Sequence, residues 1–131
     1  MRSYRLISLI LCILFFIVGF IFLAAPNGVL RFFNSLSGPL HMPESNMSGY
    51  HLYPVLAVGY MYLVGLLAFF MFKNPENRLV PLLLAHGKFA SSLVSFLFVV
   101  LHGAFLILIV NGVIDFIIGL TVLFLRKKSE D

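Results

Sequence analysis

Two ionisable residues stand inside otherwise apolar runs, and their types are complementary. Lys88 lies in "LLLAHGKFASSL" (Leu82 to Leu93), and Asp115 closes "NGVID" (Asn111 to Asp115). An ammonium and a carboxylate at one depth in an apolar medium can neutralise each other, orient a polar ligand or pass a proton. If the two runs form a helical hairpin turning near His102, Lys88 stands nine residues past Leu79 and Asp115 ten residues before Leu125. At 1.5 Å per residue both lie roughly 14–15 Å deep, near the middle of a ~30 Å hydrocarbon core.

The neighbouring residues match this pairing. Ser91, Ser92 and Ser95 follow Lys88 at helical spacing and share its face, while Asn111, Gly112 and Gly119 share the face of Asp115. Thr121 points off it. Facing stripes of small and polar residues let helices approach closely and hydrogen-bond across the contact. The expectation is a Lys88–Asp115 contact with Ser92 or Asn111 completing the ammonium's donors. An unpaired charge at that depth costs at least ~2.5–3.5 kcal/mol. Two readings of the pair stay open: a functional element, with Tyr60, Ser91 and Ser95 as possible ligand contacts, or an ion pair that fixes helix register. His86 sits two residues from Lys88, on nearly the opposite face, so a proton relay lacks further titratable members.

The remaining histidines, His41, His51 and His102, map to one side of the chain near Glu44. His51 and His102 are the only metal candidates, and no ligand spacing supports them; no metal and no cofactor is expected. Nucleophile elbows, phosphate-cradling glycine loops and paired carboxylates are missing, so hydrolase and kinase chemistry find no residues and no catalytic residue is assigned.

The elements that must position the pair follow from composition. Of 131 residues 61% are hydrophobic and 11% charged, against roughly 25% charged in soluble domains. A single domain of this length cannot hide that much apolar surface from water, so lipid is the expected solvent. Four segments are long enough to span: about 6–25, 50–72, 79–101 and 105–125. Pro26 stops the first, Asn77 is a plausible N-cap for the third, and "HGA" (His102 to Ala104) turns the chain into the fourth. The first run exceeds the ~7–15 apolar residues of a secretory signal and reads as a retained anchor. Cys12, the single cysteine, reads as a small buried hydrophobe.

Between the first two spans, about 28–37, "GVLRFFNSLSG" sets Val29, Phe32, Phe33 and Leu36 on one face and Arg31, Asn34 and Ser35 on the other. That pattern predicts an amphipathic helix lying in the membrane interface, either a lid over a cavity or a plain connector. Tyr50 and Tyr53 suit an aromatic belt, and "NMS" (Asn46 to Ser48) matches a glycosylation sequon of little weight. Arg2, Arg5, Lys73, Arg78, Arg126, Lys127 and Lys128 fall on one side of four alternating spans, and only Arg31 on the other. This bias places both termini in the cytoplasm. The basic residues sit at segment ends without interleaved aromatics, which speaks against nucleic acid.

In layout the chain resembles the small DoxX-like membrane proteins of bacteria. The likeness rests on an arginine before span one, "KNPENR" (Lys73 to Arg78) before span three and "NGVID" in span four. It implies an all-α, four-helix bundle in the bacterial inner membrane, in a family some of whose members are associated with quinone-linked redox complexes. The chain carries no redox cysteine pair. Small size and missing catalytic motifs favour a non-catalytic accessory or assembly subunit, with membrane lipids and a protein partner or second copy around it. The alternatives are a binding protein for a hydrophobic small molecule, quinone or lipid, held near Lys88 and Tyr60, and a small ion- or proton-coupled transporter. No inverted repeat supports the transporter.

The charge bias yields a topology test. A cysteine placed at Ser129 in a Cys12→Ser background is expected to resist an impermeant thiol reagent in intact cells and to react after permeabilisation. Labelling from outside would invert the orientation.

Overall fold

The computed structural model describes residues 2–44 and 52–128, and every regular element among them is a helix. They are α1 (Arg2–Ala24), α2 (Pro26–Ser37), α3 (Leu52–Lys73), α4 (Leu79–His102) and α5 (Leu106–Lys128). Four are long and apolar enough to cross a membrane, through Arg2–Ile21, Leu56–Lys73, Leu79–His102 and Leu106–Lys128. Asn46 to Ser48, Tyr50 and His51 lie outside the described residues.

The helix ends differ from the apolar runs for identifiable reasons. α1 starts at Arg2 rather than near residue 6, because nothing in its first turn breaks a helix and Tyr4 is buried. α5 continues past residue 125 through Arg126, Lys127 and Lys128, where cations complement the negative end of the helix dipole. α2 begins at Pro26 rather than 28; proline's fixed φ and missing N–H suit a first helical position. The break from α1 falls at Ala25, whose backbone is non-helical at φ −144°, ψ 64°. The run assigned to α4 is preceded by Arg78, already helical at φ −85°, ψ −14° and without a side-chain cap of its own; the capping bond comes from Asn77, whose Oδ1 accepts from the Leu79 N–H at 3.0 Å. At the α4–α5 turn Gly103 has φ +123°, a left-handed conformation that a side chain would strain.

Packing is by two antiparallel pairs, α1 on α3 and α4 on α5, joined chiefly through α3 and α4, with α2 touching α1 and α5. In α4 the buried positions are Pro81, Leu84, Ala85, Lys88, Ser92 and Ser95, and in α5 Gly112, Asp115, Gly119, Val122 and Leu125. Apart from the adjacent Leu84 and Ala85, both series step by three or four residues, one stripe of a helix. The core between the pairs holds Phe15, Val64, Met71, Leu84 and Val122, all essentially inaccessible. Large apolar side chains such as Phe20, Leu93, Val100 and Phe124 stand on the outside, an exterior that suits lipid.

Lipid tails are as apolar as leucine, so close packing must hold the helices together. Each pair meets by side chains seated on glycines. A Cβ on Gly65 would lie 3.1 Å from the Phe16 ring and one on Gly19 3.0 Å from Met61 Cβ. In the other pair, a Cβ on Gly112 would lie 3.0 Å from the Phe96 ring and one on Gly119 2.6 Å from the Phe89 ring. At the far end Arg126 Nε donates to the Arg78 carbonyl at 3.1 Å, tying the end of α5 to the start of α4.

Gly119→Ala is therefore expected to destabilise the fold by about 1–3 kcal/mol through overpacking. Gly59→Ala, where an added Cβ meets nothing within 4 Å, is expected to be neutral or stabilising by up to about 1 kcal/mol. Reversible unfolding in mixed micelles measures both. Equal effects at the two sites would contradict the glycine-seat account.

Candidate functional site

Lys88 projects from the buried stripe of α4 toward α5, and its Nζ donates to Asp115 Oδ1 at 2.9 Å. Both side chains are almost wholly enclosed, 3% and 6% exposed, so the charges are screened by each other rather than by water. The ammonium also lies 4.5 Å from the centre of the Phe15 ring and 5.2 Å from that of Tyr60. An aromatic face attracts a cation within about 6 Å, most strongly when the cation is desolvated. Lys88 thus meets α1 through Phe15, α3 through Tyr60 and α5 through Asp115. Tyr60 fixes the α3 side further, its hydroxyl donating to the Gly87 carbonyl at 3.1 Å.

The polar neighbours are arranged differently from the sequence-based expectation. Neither Ser92 nor Asn111 completes the donors of Lys88. Ser92 Oγ donates to the Gly112 carbonyl at 2.7 Å. Asn111 Nδ2 donates to Ser95 Oγ at 2.7 Å and to Ser91 Oγ at 3.3 Å. Serine and asparagine side chains are short, so partners one helix-width away win over an ammonium farther along the axis. These bonds lock the rotation of α4 on α5 beside the ion pair. Thr121 is turned away and donates to the Ile117 carbonyl of its own helix at 2.8 Å, and His86 is exposed.

Asp115 carries one oxygen that the fold leaves unanswered. Its Oδ2 is buried and has no hydrogen-bond partner among the described residues. A buried acceptor without a donor costs about 1–3 kcal/mol, and more for a charged group. Tyr4 Oη and Ser8 Oγ, near the start of α1, are buried without partners too.

The pair forms part of the wall of a cavity of about 690 Å³, to which all five helices contribute. α1 supplies Leu14, Phe15 and Val18, α3 supplies Ala57, Tyr60 and Met61, and α5 supplies Ile107, Ile114 and Asp115. Val29, Phe32 and Phe33 of α2 border one side; Val29 and Phe33 are half-buried there, while Phe32 and Leu36 of the same apolar face remain exposed. The volume falls in the ~300–1,000 Å³ range of small-molecule sites, which combine apolar walls with a few fixed polar groups. Those groups here are Tyr60, Lys88, Ser91, Asn111 and Asp115.

Of the possible ligand contacts, Tyr60 and Ser91 stand on this wall. Ser95 does not; it is buried between α4 and α5 and accepts from Asn111. Phe15 was missed in the sequence, where one more phenylalanine in an apolar run carries no signal of its direction. His41 and Glu44 are exposed, and His102 stacks edge-on against Phe98 at 5.4 Å. His51 is outside the described residues, among which no three His, Cys, Asp or Glu residues group as metal ligands.

Compared with known proteins, the chain matches no family model, no curated protein and no solved structure.

Breaking the pair from one side leaves an uncompensated buried charge, typically a loss of about 3–5 kcal/mol, whereas an apolar replacement of both partners is often near neutral. Lys88→Met alone is expected to lower the yield of folded protein, and adding Asp115→Leu to restore much of it. Fluorescence-detected size-exclusion profiles compare the three chains. A double variant that folds worse than either single would show that the partners do not compensate each other.

Proposed function

We propose that this protein binds a lipophilic small molecule within the membrane, its apolar body in the cavity and its polar end at Lys88 and Asp115. The observation that carries the reading is the juxtaposition of an apolar chamber with a desolvated ion pair whose carboxylate retains an unused acceptor. A pair serving register alone needs no chamber beside it, and apolar packing would serve stability as well. In this reading the protein is a four-helix bundle of the bacterial inner membrane with both termini in the cytoplasm. α2 lies along the outer interface, with Val29 and Phe33 turned to the cavity and Arg31 to water. The resemblance to DoxX-like proteins, some associated with quinone-linked complexes, agrees with a quinone-like or lipid-like ligand.

The accessory-subunit reading has no observation of its own, because an apolar exterior suits lipid as well as a partner. Transport is weaker still, since α4 and α5 run unbroken through the depth where a carrier's discontinuous helices expose backbone to its cargo.

Ala57→Phe tests the cavity without touching the ion pair, because Ala57 is a wall residue and the added ring occupies ligand space. Protein purified in mild detergent is expected to carry a lipophile at near-stoichiometric amounts, detected by solvent extraction and mass spectrometry. Ala57→Phe is expected to lose most of it at unchanged helicity. A stoichiometric protein partner with no extractable lipophile would overturn the binding reading in favour of the subunit one.

A further inference from the structure

We infer that the polar end of the ligand is an uncharged hydroxyl, which donates its proton to Asp115 Oδ2. The inference rests on the binding reading above and specifies the chemical class at that site. Three features of the wall select it.

Charge is the first. Lys88 and Asp115 are 2.9 Å apart and nearly fully enclosed, so the wall is neutral as a unit. An anionic headgroup would compete with Asp115 for Lys88 and leave one negative charge in excess in an apolar chamber. A cationic headgroup would do the converse. Either surplus carries the desolvation penalty that the pair itself avoids.

Hydrogen-bond polarity is the second. Asp115 Oδ2 is an acceptor without a donor. A ligand with only acceptors, such as an ether, an ester, a ketone or an oxidised quinone, leaves it unsatisfied, so within the quinone class the wall selects the hydroxyl-bearing quinol. A hydroxyl brings the missing donor, and its own oxygen can accept one of the ammonium protons that Asp115 Oδ1 does not use. One oxygen thereby serves both members of the pair. The terminal torsion of a carboxylate is broad, so a modest rotation turns Oδ2 to the chamber while Oδ1 keeps Lys88.

The competing donors are the third. Ser92 donates to Gly112 and Asn111 to Ser95 and Ser91, while the Tyr60 hydroxyl proton goes to Gly87. These three donors are engaged elsewhere. The fold keeps Asp115 Oδ2 free for a donor that arrives from outside.

The test is competition for tritiated tetradecanol bound to the full chain in an amine-oxide detergent, which has no hydroxyl of its own, read by scintillation proximity. The competitors are tetradecanol, its methyl ether and tetradecanoate, which share one alkyl chain. Tetradecanol is expected to bind at least about tenfold tighter than the ether and the carboxylate, because hydrogen bonds to charged groups are the strong class. 4-Nonylphenol against 4-nonylanisole repeats the comparison on an aromatic body and separates aromatic from aliphatic carriers of the hydroxyl.

Asp115→Asn leaves Lys88 charged and is expected to reverse the order, so that tetradecanoate becomes the best competitor. Should that variant fail to fold, Lys88→Met with Asp115→Leu offers a charge-free wall, on which all three chains should compete within about twofold, as partition alone dictates. Saturable binding with no preference for the hydroxyl, or a preference for tetradecanoate in the parent, overturns this inference and leaves the cavity reading standing. If no probe binds saturably and solvent extraction yields no lipophile, both fall.

Discussion

A lysine ammonium at the centre of an apolar protein has to be solvated by that protein, and the arrangement around Lys88 meets this demand from three directions. Asp115 gives the counter-charge from α5, Phe15 a ring face from α1 and Tyr60 a second face from α3. None of these contacts survives a large rotation of its helix, because a turn of one residue swings a side chain by about 100°. The azimuth of every long helix is thus constrained by one nitrogen atom. The fully buried apolar residues then fill the space that those rotations define.

Close packing supplies the attraction that hydrophobic burial supplies in water. Phe89 and Phe96 sit on Gly119 and Gly112, and Phe16 and Met61 on Gly65 and Gly19. Four such seats make each antiparallel pair tight within itself. Between the pairs, contact runs mainly along α3 and α4, so the space between α1 and α5 stays open and becomes the chamber under α2. The cavity and the close packing are two sides of one distribution of small residues.

Much of the architecture can be read directly from the residues. Apolar runs mark the long helices, proline and glycine mark the turns, and the spacing of Val29, Phe32 and Phe33 marks α2. Matched depth and opposite charge single out Lys88 and Asp115, which stand in direct contact. The details that escape such reading share a physical cause. Which phenylalanine faces inward depends on tertiary neighbours, so Phe15 looks no different from the exposed Phe20. The partners of Ser92, Asn111 and Ser95 depend on the exact axial offset of α4 and α5, and a shift of a few ångströms reassigns all of them.

The ion pair also bears on how the chain is made. Lys88 and Asp115 are 27 residues apart in sequence, so during synthesis α4 emerges with its ammonium while its counter-ion is still inside the ribosome. At the middle of a lipid bilayer that bare charge costs several kcal/mol, enough to hold α4 at the insertion machinery in place of releasing it sideways. Once α5 follows through the tight turn at Gly103, the two helices can leave together as a neutral hairpin. On this physical argument Asp115 would govern when the C-terminal pair of helices can enter lipid. Its loss would be felt first as a failure of α4 to insert, in a segment that the substitution does not touch.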